Sequence, residues 1–284
     1  MSDIPGLVFL KDMETGKKQP GFFRLYGKLL LLLFLVVAGA ASFFLITRGA
    51  LSYRFAHLEY ERIRQTHVRI AEGAYESDPE VEPDGKEETR YPSRPSGAVL
   101  EIDFAALTNV NPDTVAWLHV PALQISYPVV YRADRDYYTK HTFEGTYNAN
   151  GAIFVEPFNR PDFNDPNTFL YGHNSADGSM FGTLHELAWL DAEREKNPCV
   201  FLYLKDGGIR KYRIYSYYVT KEDSASFRII DEASYDGYAE YTKQCAQREI
   251  AAPFQGHPGL VTLSACYGEA GTDERFLVHA VRVP

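Results

Sequence analysis

The sequence predicts a mainly β domain, a barrel or a sandwich, after about residue 99 of its 284 residues, and three observations carry that reading. Tyr and Phe are abundant, at 20 and 18 against 2 Trp and 3 Met, a bias that suits pleated, half-buried surfaces. Short runs of β-branched and aromatic residues recur from Val115 onward, each closed by Gly, Pro, Asn or Asp. Only one long stretch in that part, Met180 to Lys196, reads as helix, with Phe181, Leu184, Leu187 and Leu190 spaced along it.

Ahead of that domain, Leu29 to Thr47 is uncharged throughout and is bracketed by Lys28 and Arg48. As a helix it spans about 28 Å, which matches a hydrocarbon core of about 30 Å. Ala38-Gly39-Ala40 resembles a signal-peptide cleavage site, but the apolar run continues past it through Phe43 to Ile46, which favours a retained anchor. Residues 1–28 form a short tail with Lys17, Lys18, Arg24 and Lys28, whereas the far side soon meets Glu59 and Glu61. This bias puts the N-terminus in the cytoplasm and the bulk outside. Residues 48–98 then hold a polar-faced helix from Tyr53 to Ala74, carrying Phe55, Leu58, Ile63, His67 and Ile70. An acidic, Pro-rich linker from Tyr75 to Gly97 follows it.

Residues 99–284 form the folded β domain. Ile102 to Thr108 reads as a short helix and Asn111-Pro112-Asp113 as a turn. Strands follow at Val115–Pro121, Ile125–Tyr131, Gly151–Val155, Thr168–Tyr171, Val200–Leu204, Tyr212–Val219, Leu260–Ala265 and Phe276–Val283.

Composition excludes several functions. Net charge is −9 with no basic stripe, which argues against nucleic acid as a partner. Neither a Cys-x-x-Cys nor a zinc-spaced His/Cys cluster is present, so no metal and no cofactor is expected. With 3 cysteines, one thiol stays unpaired within the chain even if Cys199 and Cys245 bridge.

That leaves a thiol with a task. Val261-Thr262-Leu263-Ser264 alternates up to Cys266, the pattern breaks into a loop through Asp273, and Arg275 opens the next alternating run. Cys266 and Arg275 therefore sit at facing ends of two strands. His173, at the end of another strand, lies in the loop Gly172-His173-Asn174-Ser175-Ala176-Asp177-Gly178. A thiol attacks a carbonyl only as thiolate, so an imidazole as base or acid and a guanidinium for the oxyanion complete an acyl-transfer set. His141 is the second candidate for the base.

Thr262-Leu263-x-x-Cys266, Arg275 and Gly172-His173-Asn174 resemble a sortase, and Tyr171 to Phe181 resembles class B in particular, over a stretch from about Asn109 to Val283. The resemblance implies a sortase β-barrel with N-terminal helices and a helix between later strands. It also implies a membrane-anchored cysteine transpeptidase that cleaves a C-terminal sorting signal and passes the acyl group to an amine of the cell wall precursor. A pilin-polymerising sortase, or a secreted cysteine hydrolase that uses water, is the alternative. Implied substrate-binding positions are Ser264, Asn174, Arg135, Thr139 and Ser226. Two departures stand out: Ala265 precedes the nucleophile where the family usually has Thr, and Arg135 and Thr139 fall where class B members tend to carry Asn and Leu. The class implies an Asn-Pro-x-Thr signal, and Arg135 and Thr139 stand where residues that help recognise its Asn-Pro start would fall, which leaves the motif open.

Overall fold

The computed structural model describes residues 22–71, 99–134, 136–189, 198–248, 250–268 and 271–284. The linker from Tyr75 to Gly97, Arg135 and the end of the expected 180–196 helix lie outside the described residues. Two compact units divide the chain at Leu51 and Ser52.

The first unit contains the N-terminal part of helix α1 (Phe22–His67). Its Leu29 to Leu45 stretch exposes nearly every large apolar side chain, and a window of mean hydropathy 2.9 makes it long and apolar enough to cross a membrane.

In the second unit, helix residues Ala56, Tyr60 and Ile63 are buried, while Phe55 and Leu58 are exposed. The buried face is thus the i, i+4, i+7 stripe through Ala56, not the one through Phe55. The helix also stops earlier than Ala74. Val68-Arg69-Ile70 forms β1 (Val68–Ile70), which pairs antiparallel with β2 (Leu100–Ile102), because β-branched residues there alternate and find an edge partner.

After β2 comes α2 (Phe104–Val110), capped by the Asp103 carboxylate accepting from the Ala106 amide at 2.9 Å. Eight strands then close a barrel: β3 (Thr114–Val120), β4 (Ile125–Val130), β5 (Ile153–Val155), β6 (Asn167–Tyr171), β7 (Cys199–Leu204), β8 (Ile209–Lys221), β9 (Leu260–Cys266) and β10 (Glu274–Val283). The order around it is β10-β8-β7-β3-β4-β5-β6-β9, with β9 returning to β10. Pairing is antiparallel except for β4 with β5 and β6 with β9. The interior holds Leu118, Val129, Leu202, Leu263 and Val278, all with no exposure. A barrel leaves no free sheet edge and resolves the choice between barrel and sandwich.

The expected 180–196 helix is corrected. Among its described residues only a 3-10 segment forms, Leu184–Trp189, and Met180 has a positive φ of 54°. Phe181, Leu184 and Leu187 recur every third residue, which is the period of a 3-10 turn rather than the 3.6 of an α-helix. The α-helix the sequence reading missed is α3 (Tyr235–Gln244), between β8 and β9. Its buried stripe consists of Tyr235, Tyr238, Ala239 and Thr242, and polar-tipped residues hide a helical period.

Candidate active site

Strands β9 and β10 run antiparallel with Cys266 opposite Arg275, Ser264 opposite Leu277 and Thr262 opposite His279. Alternation divides β9 between two faces. Val261, Leu263 and Ala265 belong to the main core with Phe276, Val278 and Ala280, so Thr262, Ser264 and Cys266 lie on the outer face. On the other side β6 lies parallel to β9, with Tyr171 beside Ser264. The Gly172 amide donates to the Ser264 carbonyl at 3.2 Å, carrying the pairing one step beyond the strand. His173 and Cys266 are each two residues past that Tyr171–Ser264 pair. Cys266, Arg275 and His173 therefore leave adjacent strands at one rim of the barrel, with Cys266 exposed and the other two half-buried.

His173 is fixed from behind. Its Nε2 lies 2.7 Å from the Thr139 carbonyl, which can only accept, so Nε2 carries a proton and Nδ1 is the ring nitrogen left to exchange one. Gly151 makes room for this ring. It has φ +56°, and a Cβ there would meet the Tyr138 carbonyl at 2.3 Å and His173 Cδ2 at 3.1 Å. Tyr60 of α1 holds the same turn, its hydroxyl donating to the Gly151 carbonyl at 2.7 Å and accepting from the Phe143 amide at 3.0 Å.

Arg275 is engaged on the loop side. Its Nη1 donates to the carbonyls of Thr272 and Glu274 at 2.8 and 2.9 Å, and its Nη2 to the Glu222 carboxylate at 2.5 Å. The arginine side chain is 19% exposed and the glutamate 57%, so the pair is open to water on one side. The Glu222 amide donates in turn to the Asp273 carbonyl, and Lys221 pairs with Asp273 at 3.0 Å. Glu222 is the residue that sequence reasoning missed: 53 positions from its partner, it carries no motif signal.

The other expected residues divide. Ser264 is buried, and its hydroxyl has no hydrogen-bond partner two residues before the thiol on the same face, so a polar group entering the site would satisfy it. Asn174 is exposed beside His173 and forms a β-bridge with Met180. Thr139 offers its carbonyl to His173 while its hydroxyl donates to Asp136. Ser226 is fully buried, its hydroxyl turned inward onto Tyr218. His141 stacks on Tyr137 at 4.1 Å, with Nδ1 2.8 Å from the Tyr137 carbonyl. Cys199 and Cys245 are free thiols. Among the described residues no group of three or more His, Cys, Asp or Glu is arranged to hold a metal ion.

Comparison with known proteins finds related domains and structures. The family model described as "Sortase domain" matches residues 118–283. Sortase B of Listeria monocytogenes is 30% identical over 164 residues, covering 56% of this chain and 65% of the relative; the chain thus spans just under two-thirds of that relative's length. Sortase B of Staphylococcus aureus is 25% identical over 62% of this chain and 73% of its own. Among solved structures, Clostridium perfringens sortase B superposes with a TM-score of 0.58 at 25% identity, over 63% of this chain and 99% of that one. A Streptococcus pyogenes class B sortase involved in pilus biogenesis gives 0.58 at 25% identity, over 64% and 98%.

Proposed function

The chain belongs to the sortase family, in class B, and from that premise we propose that it is a membrane-anchored cysteine transpeptidase acting on C-terminal sorting signals. The observation that carries the reading is the common rim shared by Cys266, Arg275 and His173. Cys266 attacks the scissile carbonyl, and Arg275 stabilises the oxyanion that forms. The proton lost by the Cys266 thiol passes to His173 Nδ1, which gives it to the amine as the scissile C–N bond breaks and later takes one from the incoming amine that displaces the thiolate. Meanwhile Nε2 stays on the Thr139 carbonyl, so the ring keeps its orientation in both steps. The unpartnered Ser264 hydroxyl supports a polar substrate contact beside the thiol. Asn174 lines the same rim, and Thr139 contributes through the histidine it holds.

The acyl donor is a surface protein with an Asn-Pro-x-Thr type signal, and the acceptor is an amine of the peptidoglycan precursor. The apolar helix between Leu29 and Thr47 supports attachment to the membrane, with residues 1–28 cytoplasmic and residues 99–284 as the extracytoplasmic catalytic domain. A second reading, polymerisation of pilins through a lysine acceptor, draws on the pilus-linked Streptococcus pyogenes relative.

The test is product analysis. Full-length protein in detergent is incubated with Asn-Pro-x-Thr peptides, with and without a diamine. The expected product is an amide to the added amine, lost in Cys266→Ala and nearly lost in His173→Ala, with a mild effect of His141→Ala. Products made only with water would favour a hydrolase, and a stronger effect at His141 than at His173 would move the base.

A further inference from the structure

Beneath the rim the outer face of β9 and β10 carries a closed ring of buried hydrogen bonds. His279 Nδ1 lies 2.9 Å from Thr262 Oγ1, and its Nε2 lies 3.0 Å from the Tyr218 hydroxyl. Thr262 donates to Asn167 Oδ1 at 3.0 Å, and Asn167 Nδ2 donates to the Tyr238 hydroxyl at 3.1 Å. Tyr238 donates to the Ser226 carbonyl at 2.8 Å, and the Ser226 hydroxyl closes the ring on Tyr218 at 3.0 Å. All six residues are buried, with His279, Thr262 and Ser226 at 0% exposure. Burial drives the His279 pKa down to about 3, so the imidazole is neutral and offers one donor and one acceptor to its two neighbours.

The ring joins β6, β8, β9, β10 and α3 to one short turn, Ala225–Phe227, and grips that turn at both the hydroxyl and the carbonyl of Ser226. Thr262 stands four residues before Cys266, and His279 four after Arg275. The turn belongs to the segment 222–230, which reaches the rim from two sides. Glu222 at its start pairs with Arg275, and Phe227 stacks on Phe169 at 5.9 Å, which stacks on Tyr171 at 6.4 Å, two residues before His173. A segment fastened to the strands of both the arginine and the imidazole forms one wall of whatever groove leads to Cys266.

We propose that this ring, through Ser226, positions the 222–230 wall over the active site and so governs capture of the acyl-donor peptide. This role rests on the sortase reading above and belongs to side chains that never touch substrate. Tyr218, Tyr238 and His279 are positioning residues, and Ser226 is the point they hold. Satisfied buried polar networks fix one arrangement, whereas a cut leaves buried groups unpaired and releases the segment they anchor.

Tyr218→Phe and Tyr238→Phe cut the ring on opposite sides of Ser226 while keeping the aromatic volume. In full-length protein in detergent, each is expected to speed amide exchange across 222–230 about tenfold or more, leaving β3 and β7 unchanged. Each should also raise KM for an Asn-Pro-x-Thr peptide about tenfold, with kcat and the rate of Cys266 alkylation by iodoacetamide within about twofold of wild type. A merely structural role would lower the melting temperature without moving KM in a protein that is still folded at the assay temperature. Unchanged exchange in 222–230 overturns the proposal, and so does faster exchange with unchanged KM. If one variant does not fold, the other decides alone. A wild-type chain that transfers no peptide would overturn the sortase reading and the capture role together, and that result is recognised before any variant is made.

Discussion

Arg275 is the residue at which charge and geometry matter separately. Its guanidinium reaches two backbone carbonyls with one nitrogen and a carboxylate with the other, using the planar fork that lysine lacks. Arg275→Lys therefore keeps the charge and loses the orientation. Loss of one oriented oxyanion donor costs about 3 kcal/mol, a hundredfold or more in turnover. Single-turnover acylation by Arg275→Lys, measured beside iodoacetamide alkylation of Cys266, is expected to show that loss in acylation alone. Near-normal acylation would reduce Arg275 to an ion-pair partner of Glu222, and loss of both rates would mean that it governs the thiol. The shared rim of Cys266, Arg275 and His173 was legible in the sequence because strand alternation ends at Cys266, resumes at Arg275 and delivers His173 at a strand end. The supports were not. Glu222, the Thr139 carbonyl and the space left by Gly151 are set by tertiary approach across many residues, where local pattern carries no information.

Among elements, the C-terminal half of α1 works on the site from a distance. Tyr60 braces the Gly151 turn against which His173 packs, and Glu59 accepts from Thr142 and from the Glu144 amide at 2.9 Å each. Arg64 lies over the Tyr127 ring at 5.4 Å and donates to the Ser126 carbonyl. A chain lacking residues 1–48 retains all of these contacts and is expected to be soluble and to react with substrate at close to the full-length rate. Removal of residues 1–67 deletes the brace and should cost at least tenfold in turnover or prevent folding; equal activity of the two truncations would show that Tyr60 contributes nothing to the site. The eight barrel strands were legible element by element because their alternation is local, whereas β1 and β2, three residues each, were not. The 180–196 segment and α3 were not: one carries a three-residue apolar period that reads as α-helix, and the other hides its period in Tyr and Thr.

For the whole molecule, the buried polar ring ties stability to pH. His279 has its pKa lowered by burial from an ordinary 6.5 to about 3, so between those values the unfolded chain binds a proton that the folded chain refuses. Its contribution is complete above about pH 6.5 and declines as pH falls toward 3, by up to about 1.4 kcal/mol per pH unit. His257, paired with Glu232 and Asp236 at the surface, is raised instead, chiefly by its hydrogen bond to Glu232; its contribution is present below its ordinary value and fades as pH rises through the folded one. Thermal melts of the full-length chain in detergent should therefore fall steadily from pH 7 to pH 4, and His279→Gln should flatten that slope while lowering the melt at pH 7. An unchanged slope in His279→Gln would assign acid sensitivity to other groups. The proposed chemistry depends on one covalent species, a thioester between Cys266 and the carbonyl of a sorting-signal peptide. Intact-mass analysis of the wild-type chain after rapid mixing with an Asn-Pro-x-Thr peptide, without amine, measures it directly. The expected result is a mass increase equal to the N-terminal peptide fragment, mapped to Cys266 by digestion, discharged by hydroxylamine and absent in Cys266→Ala. Peptide cleavage with no adduct at any time point, or an adduct on Cys199 or Cys245, would contradict it.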